Sequence, residues 1–166
     1  MKKIEDLKDL FIEEGRELFN AQEQEINALS KLRKIATSHD LKATIRDEIK
    51  KTWKQQGRIE TAFKNFEVEL DGEVSEPFGA IINKKNHLIN RIKDSKIRDM
   101  EIINAIQYIN HFKIAGYTTI STLSDVMQDN TISRVFHTSL EEERKLDKHL
   151  IKLATQHLNN YAHSPV

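Results

Sequence analysis

Apolar residues recur along most of this chain at steps of three and four, the spacing that lines one face of an α-helix. The first run, Ile4, Leu7, Phe11, Leu18, Ile26, Leu29, Leu32 and Ile35, predicts a helix of about nine turns. Thr37, Ser38, His39 and Asp40 supply N-cap chemistry for a second helix. Its stripe is Leu41, Ile45, Ile49, Ile59, Phe63 and Phe66, and it ends before the turn-forming stretch Glu69-Leu70-Asp71-Gly72-Glu73. Pro77 suits the first turn of a shorter third helix, with Ile81, Ile82, Leu88, Ile89 and Ile92 as its apolar face and a stop near Asp94-Ser95. A fourth helix runs from about Ile97 through Ile102, Ile103, Ile106, Ile109, Ile114, Tyr117 and Ile120 to Val126. Gly116 inside it marks a kink or a close helix contact. Asp129 or Asn130 caps the last helix, whose stripe is Ile132, Val135, Phe136, Leu140, Leu146, Leu150, Leu153 and Leu158. The tail from about Tyr161 is expected to fray.

No alternating strand pattern, internal repeat or low-complexity tract interrupts this succession. Four long helices with one short helix inserted after the second imply a long crossover. The expected fold is therefore all-α, a four-helix bundle of the ferritin-like layout, formed as one domain over residues 1–166. A chain of 166 residues can bury roughly 70% of the surface its unfolded form exposes. Five glycines, two prolines and 31% charged residues agree with long amphipathic helices. The 26 basic and 26 acidic side chains cancel, so no global field draws phosphate or anionic lipid, and nucleic-acid binding is disfavoured. The acidic residues among the first fifteen leave no secretory h-region, and no apolar run approaches the ~20 residues of a membrane span. The absence of cysteine removes disulfides, iron–sulfur clusters and thiol nucleophiles, and agrees with a reducing, cytoplasmic setting.

Each long stripe is interrupted by polar residues near its middle. The first helix meets Gln22 and Glu25 between Leu18 and Ile26; the second meets Glu48, then Lys51 or Thr52, then Gln55 before Ile59. The fourth meets Asn110 and Lys113, and the fifth Glu143 and Asp147. Buried at one height of a bundle, such residues are costly unless they satisfy one another or bind an ion. Di-metal bundle proteins use this geometry, with a Glu from each of two helices and a carboxylate plus a second ligand one turn on from each of the other two. The positions here suit that arrangement and the residue types do not. The competing reading is a stripe whose phase is off by one residue, which places the same side chains in solvent. That reading applies most directly to Lys113, because Ile109, Ile114 and Tyr117 define a face that leaves it outside.

The segments Glu5-Asp6-Leu7 with Leu10-Phe11, Arg98-Asp99, His111-Phe112-Lys113-Ile114-Ala115-Gly116-Tyr117 and Leu140-Glu141-Glu142-Glu143 with Asp147 resemble the YciE/YciF family of ferritin-like proteins. The likeness runs from about Ile4 to Leu153. The string ending Ile114-Ala115-Gly116-Tyr117 is its most specific part, where the family reads Glu-His-Tyr-Glu-Ile-Ala-Gly-Tyr. The resemblance implies a ferritin-like bundle, usually homodimeric, expressed in stress settings and carrying a di-iron site. Carried over by residue, the family's first-helix acid falls at Gln22 and its second-helix Glu at Lys51, followed by Gln55 where the family has Gln or His. Its two fourth-helix acids fall at Asn110 and Lys113. Glu143, Asp147 and His111 remain as donors.

A protonated lysine cannot share a site with a divalent cation without a large pKa shift. Two lysines among the ligand positions therefore argue for a degenerate core polar layer of Gln22, Glu48, Lys51, Gln55, Asn110, Lys113, Glu143 and Asp147. In it Lys51 and Lys113 replace the metal charge, and Glu143 with Asp147 forms their counter-ion pair. The expected function is non-enzymatic, a stress-associated structural or interaction module and a homodimer, with no cofactor. The alternative is a di-metal oxidase or ferroxidase binding iron or another divalent metal through Glu48, His111, Glu143 and Asp147. A third reading has the layer anchor a small molecule in the bundle interior.

Other candidates carry less. No HExxH pattern occurs, and His149 and His157 lie too far apart to chelate together. His137 with Glu141 reads as a helix-surface pair. Lys31, Arg33 and Lys34, like Lys84 and Lys85, form basic clusters without interleaved aromatics and read as solvated faces. Trp53 lies off the second stripe and is expected either half exposed or, the favoured reading, at an intersubunit contact. Tyr108, Phe112 and Tyr117 are expected as core or interface aromatics.

Overall fold

The computed structural model describes residues 3–70 and 74–162, apart from the Asn65 side chain. The elements are α1 (Leu7–Ile35), α2 (His39–Phe63) with a 3₁₀ turn at Lys64–Phe66, α3 (Glu76–Ile89), α4 (Ser95–Val126) and α5 (Asn130–Ala162). Short polar side chains set the helix starts by accepting from backbone N–H groups that the first turn leaves free. Asp6 accepts from Asp9 N, Ser38 from Leu41 N, Ser75 from Phe78 N, and Asp94 from Lys96 N and Ile97 N. Asp129 rather than Asn130 caps α5, accepting from Thr131 N and Ile132 N. Because Asp6 is the cap, α1 begins at Leu7 and leaves Ile4 outside it.

Buried residues along the helices follow alternating steps of four and three. In α1 the seam is Phe11, Gly15, Leu18, Gln22, Glu25, Leu29 and Leu32; in α2 it is Leu41, Ile45, Glu48, Thr52, Gln55, Ile59 and Ala62. Ile103, Ile106, Asn110, Lys113, Tyr117 and Ile120 continue it on α4, and Phe136, Ser139, Glu143, Leu146, Leu150 and Leu153 on α5. That is the knobs-into-holes spacing of a helical bundle.

Two large apolar clusters result among the described residues. One holds Phe11, Leu18, Ile59, Phe63, Tyr117, Ile120 and Phe136; the other holds Leu29, Leu32, Leu41, Ile45, Ile102, Ile106, Leu146 and Leu150. Phe11 stacks on Phe63 with ring centroids 4.9 Å apart, so α1 starts where α2 ends. At the opposite end buried Asp99 at the start of α4 accepts from Thr37 N, Thr37 Oγ1 and Ser38 N, fastening the α1–α2 turn. The chain from Phe63 to Ser95 therefore travels the length of the bundle, and that crossover carries α3. Adjacent helices α1/α2, α4/α5, α1/α4 and α2/α5 run antiparallel.

The third helix departs from the expected face. It ends at Ile89, and its buried residues are Phe78 and Ile89. Phe78 packs with Ala21 and Ile109 and meets Phe112 edge-on at 5.1 Å, while Leu88 is exposed. At Gly116 an added Cβ would lie 3.1 Å from Leu18 Cδ1, which makes this glycine a close α1–α4 contact. At the carboxyl end α5 includes Tyr161 and Ala162, and the rest of the tail expected to fray, 163–166, lies outside the described residues. So do residues 71–73 of the expected turn.

Candidate functional site

Midway between the apolar clusters the seam positions of α1, α2, α4 and α5 are polar, so the register that builds the core also buries a charged layer. Its centre is Lys113 on α4, whose side chain has 0% exposure. The ammonium Nζ pairs with three carboxylates from three helices, Glu25 Oε2 at 2.9 Å, Glu48 Oε1 at 2.9 Å and Glu143 Oε2 at 3.1 Å, and donates a hydrogen bond to Glu48. A second ammonium, Lys51, lies 2.5 Å from Glu48 Oε2 and 3.3 Å from Glu143 Oε1. Glu48 and Glu143 thus each bridge both lysines.

Neutral donors complete the network. Gln55 Nε2 donates to Glu143 Oε1 at 2.6 Å and to Glu142 Oε2 at 3.0 Å, and Asn110 Nδ2 donates to Glu143 Oε2 at 2.6 Å. The Thr52 hydroxyl is shared between Glu48 O at 3.0 Å and Glu25 Oε2 at 3.2 Å. Gln22 Nε2 reaches Gln55 Oε1 at 3.3 Å and the Tyr117 hydroxyl at 2.5 Å. Arg58 grips Glu142 through both nitrogens, at 2.7 and 2.9 Å, and closes the layer at its outer edge.

Burial disfavours the ammonium of Lys113, yet Glu143, Glu25 and Glu48 outweigh it and hold the pKa well above the usual lysine range. Burial likewise works against the Glu143 carboxylate, but Lys113, Lys51 and Gln55 hold its pKa below the ordinary value. Glu25 behaves differently: burial pushes it up to about 7 against the opposing pull of Lys113. Burial also raises the Tyr117 phenol, which stays protonated at neutral pH.

Of the residues singled out in sequence, Gln22, Glu48, Gln55, Asn110, Lys113 and Glu143 are buried in this layer and Lys51 is partly so. The phase that places Lys113 in solvent is overturned. Asp147 is corrected: Leu146 takes the seam position on α5, and Asp147 at its edge pairs with the exposed His111 ring, Nε2 to Oδ1 3.0 Å. Neither residue joins the layer. The counter-ions expected as Glu143 and Asp147 are Glu143, Glu48 and Glu25. Glu25 interrupts the α1 stripe one turn after Gln22, and that spacing is the signal for it. Among the described residues no group of three His, Asp or Glu side chains is arranged to hold a metal ion.

One flank of the layer is covered and another is open. Phe78 and Phe112 cover the α1/α4 flank. On the α2/α5 flank a groove of about 580 Å³, lined by Thr44, Asp47, Glu48, Lys51, Leu146 and His149, reaches the edge of the network. Trp53 is 59% exposed and Tyr108 is exposed, with Lys85 Nζ 3.9 Å above the Tyr108 ring. No helix among the described residues is long and apolar enough to cross a membrane.

Residues 6–163 match the family described as Domain of unknown function (DUF892). Protein YciF of Escherichia coli K12 is 27% identical over 166 residues, 98% of this chain and 96% of that protein. Among solved structures, YcfI from Rhodopseudomonas palustris superposes with a TM-score of 0.85 at 26% identity, over 90% of this chain and 95% of that one. The crystal structure of the E. coli stress protein YciF gives 0.89 at 24% identity, covering 94% and 99%. A Xanthomonas campestris protein gives 0.70 at 12% identity, covering 95% and 99%. With nearly its whole length matched and a ferritin-like bundle in common, the chain belongs to the DUF892 family, that of the YciE/YciF proteins.

Proposed function

We propose that this chain is a non-enzymatic ferritin-like protein of the YciF type, a structural or interaction module whose di-iron site has degenerated into an internal ion network. The observation that carries the reading is the position of Lys113 Nζ, within 3.1 Å of three carboxylates from three helices. The residues present do not fit a pair of divalent ions. A metal needs oxygen or nitrogen donors at roughly 2.0–2.6 Å with their lone pairs free, and here the lone pairs of Glu48 and Glu143 are engaged by two ammonium groups. Asn110 and Lys113 stand at ligand positions of α4, and His111 with Asp147 faces outward. The altered ligand set Glu48, His111, Glu143 and Asp147 is therefore split between the core and the surface.

In this reading the network does what a metal pair does for a bundle: it ties α1, α2, α4 and α5 together at mid-height and fixes their register, because a buried charge tolerates only its own partners. The module acts in stress settings, as the E. coli relative is described, in the cytoplasm and as a homodimer, with exposed Trp53 as an interface anchor. Purification without chelator followed by elemental analysis is the test. The expected content of iron, manganese and zinc is well below one ion per chain; near two ions per chain overturns the reading in favour of a di-metal oxidase. Light scattering tests the dimer.

A further inference from the structure

The charges of the layer do not cancel. Three carboxylates, Glu25, Glu48 and Glu143, meet two ammonium groups, Lys51 and Lys113, which leaves one negative charge over in a space closed to solvent on most sides. Hydrogen is short in the same place. Glu25 Oε1, Gln22 Oε1 and Asn110 Oδ1 are buried acceptors with no donor among the described residues. One additional proton removes the surplus charge and supplies one of the missing donors, since a protonated carboxyl is neutral and turns an acceptor oxygen into a donor.

The bonding pattern says which carboxylate takes it. Glu48 is bonded to both lysines, and Glu143 is bonded to both lysines, Gln55 and Asn110. Among the described residues Glu25 has only Lys113 and the Thr52 hydroxyl, which it shares with Glu48 O, both on Oε2. The charged groups facing it are Lys113 from α4, Glu48 from α2 and Glu143 from α5. Gln22 is its neighbour on α1, and α3 on the outer face of α1 presents it no charge among the described residues.

We propose that Glu25 is a proton-binding site of the bundle core, held as the neutral acid with its O–H donating to one of the amide oxygens that lack a donor, and that it gives up this proton as the surroundings turn from mildly acidic to alkaline. The core is then a pH-sensitive element, electroneutral when Glu25 is protonated and carrying one buried negative charge when it is not. Burial, which pushes this carboxyl up to about 7, places the change at physiological pH. Glu48 and Lys51 on the α2/α5 groove give the exchanging proton a path.

The sign follows from linkage. In the unfolded chain Glu25 releases its proton near 4.5, and in the folded chain near 7. Between these values the folded state binds one more proton, so stability falls as pH rises, by close to tenfold in the folding constant per pH unit, and the loss levels off above about 7. The full chain, labelled with carbon-13 at glutamate carboxyls and titrated by NMR, should show one carboxyl carbon titrating near neutral pH, absent in Glu25→Gln. Urea denaturation from about pH 5 to 8 should show the wild type losing stability relative to Glu25→Gln up to about pH 7, by close to tenfold per unit, and no further loss above it. The proposal is overturned if every carboxyl of the wild type titrates in the ordinary glutamate range, if the neutral-pH signal survives in Glu25→Gln, or if the two stability profiles run parallel. Where Glu25→Gln does not fold, the wild-type titration decides alone.

Discussion

Lys113 and Lys51 carry the same charge into the same network, yet their surroundings predict unequal roles. Lys113→Met removes the one ammonium that all three carboxylates share and leaves them facing each other without solvent. The expected cost is on the order of 3–5 kcal/mol, the range for breaking a buried pair from one side, read as a fall in the urea midpoint. Lys51→Met should cost less, about 1–3 kcal/mol, because Lys51 is partly exposed and Lys113 still compensates Glu48 and Glu143. Equal losses would show that Lys113 is not the centre of the network. The layer's members were legible in sequence because Gln22, Glu48, Gln55, Asn110, Lys113 and Glu143 fall on the four-and-three steps of their stripes. Their pairing was not, since a stripe tells which face a residue shares and not which partner arrives from the next helix. Asp147 illustrates the limit: one residue past Leu146, it turns from the seam to its edge and meets His111 instead.

Helix ends and crossings offer sharper tests at the level of the element. Asp129 N donates to Ser124 O at 3.3 Å and Gln128 N to Asp125 O at 3.1 Å, the paired bonds of a Schellman close to α4. Gln128 there has φ 59°, a conformation that favours glycine. Gln128→Gly should therefore raise stability, by roughly 0.5–1 kcal/mol, seen as a higher thermal midpoint; a lower midpoint would mean that the glutamine side chain contributes more than its backbone costs. Gly15 is the opposite case. A Cβ there would fall 2.1 Å from Phe63 Cζ, so Gly15→Ala should destabilise by about 1–3 kcal/mol through overpacking, although alanine is the better helix former by about 1 kcal/mol. The long helices were readable because a single register is sustained over many turns. Helix α3 was not, because Ile81, Ile82, Leu88, Ile89 and Ile92 satisfy several faces in a short segment, and the contact of Phe78 with Ala21 and Ile109 selects among them.

For the molecule as a whole, the order of helices and the crossover followed from caps and stripe lengths alone, while the asymmetry of the bundle required the placement of α3. With α3 over the α1/α4 flank, the core layer meets its surroundings along α2/α5, and any cation entering must displace Lys51 and then Lys113. A ligand that binds only the native state raises stability by RT ln(1 + [L]/Kd), about 2.7 kcal/mol at a hundredfold excess over Kd. Fe(II) or Mn(II) should therefore leave the thermal midpoint of the wild type unchanged, as should a chelator. Lys113→Ala should behave otherwise: it removes the tethered ammonium while Glu25, Glu48 and Glu143 still converge on the emptied position, so Mn(II) should raise the midpoint of this weakened variant and a chelator should reverse the gain. A rise in the wild type would mean that the ion network yields to metal, and no rise in a folded Lys113→Ala would mean that the three carboxylates hold their geometry only around lysine.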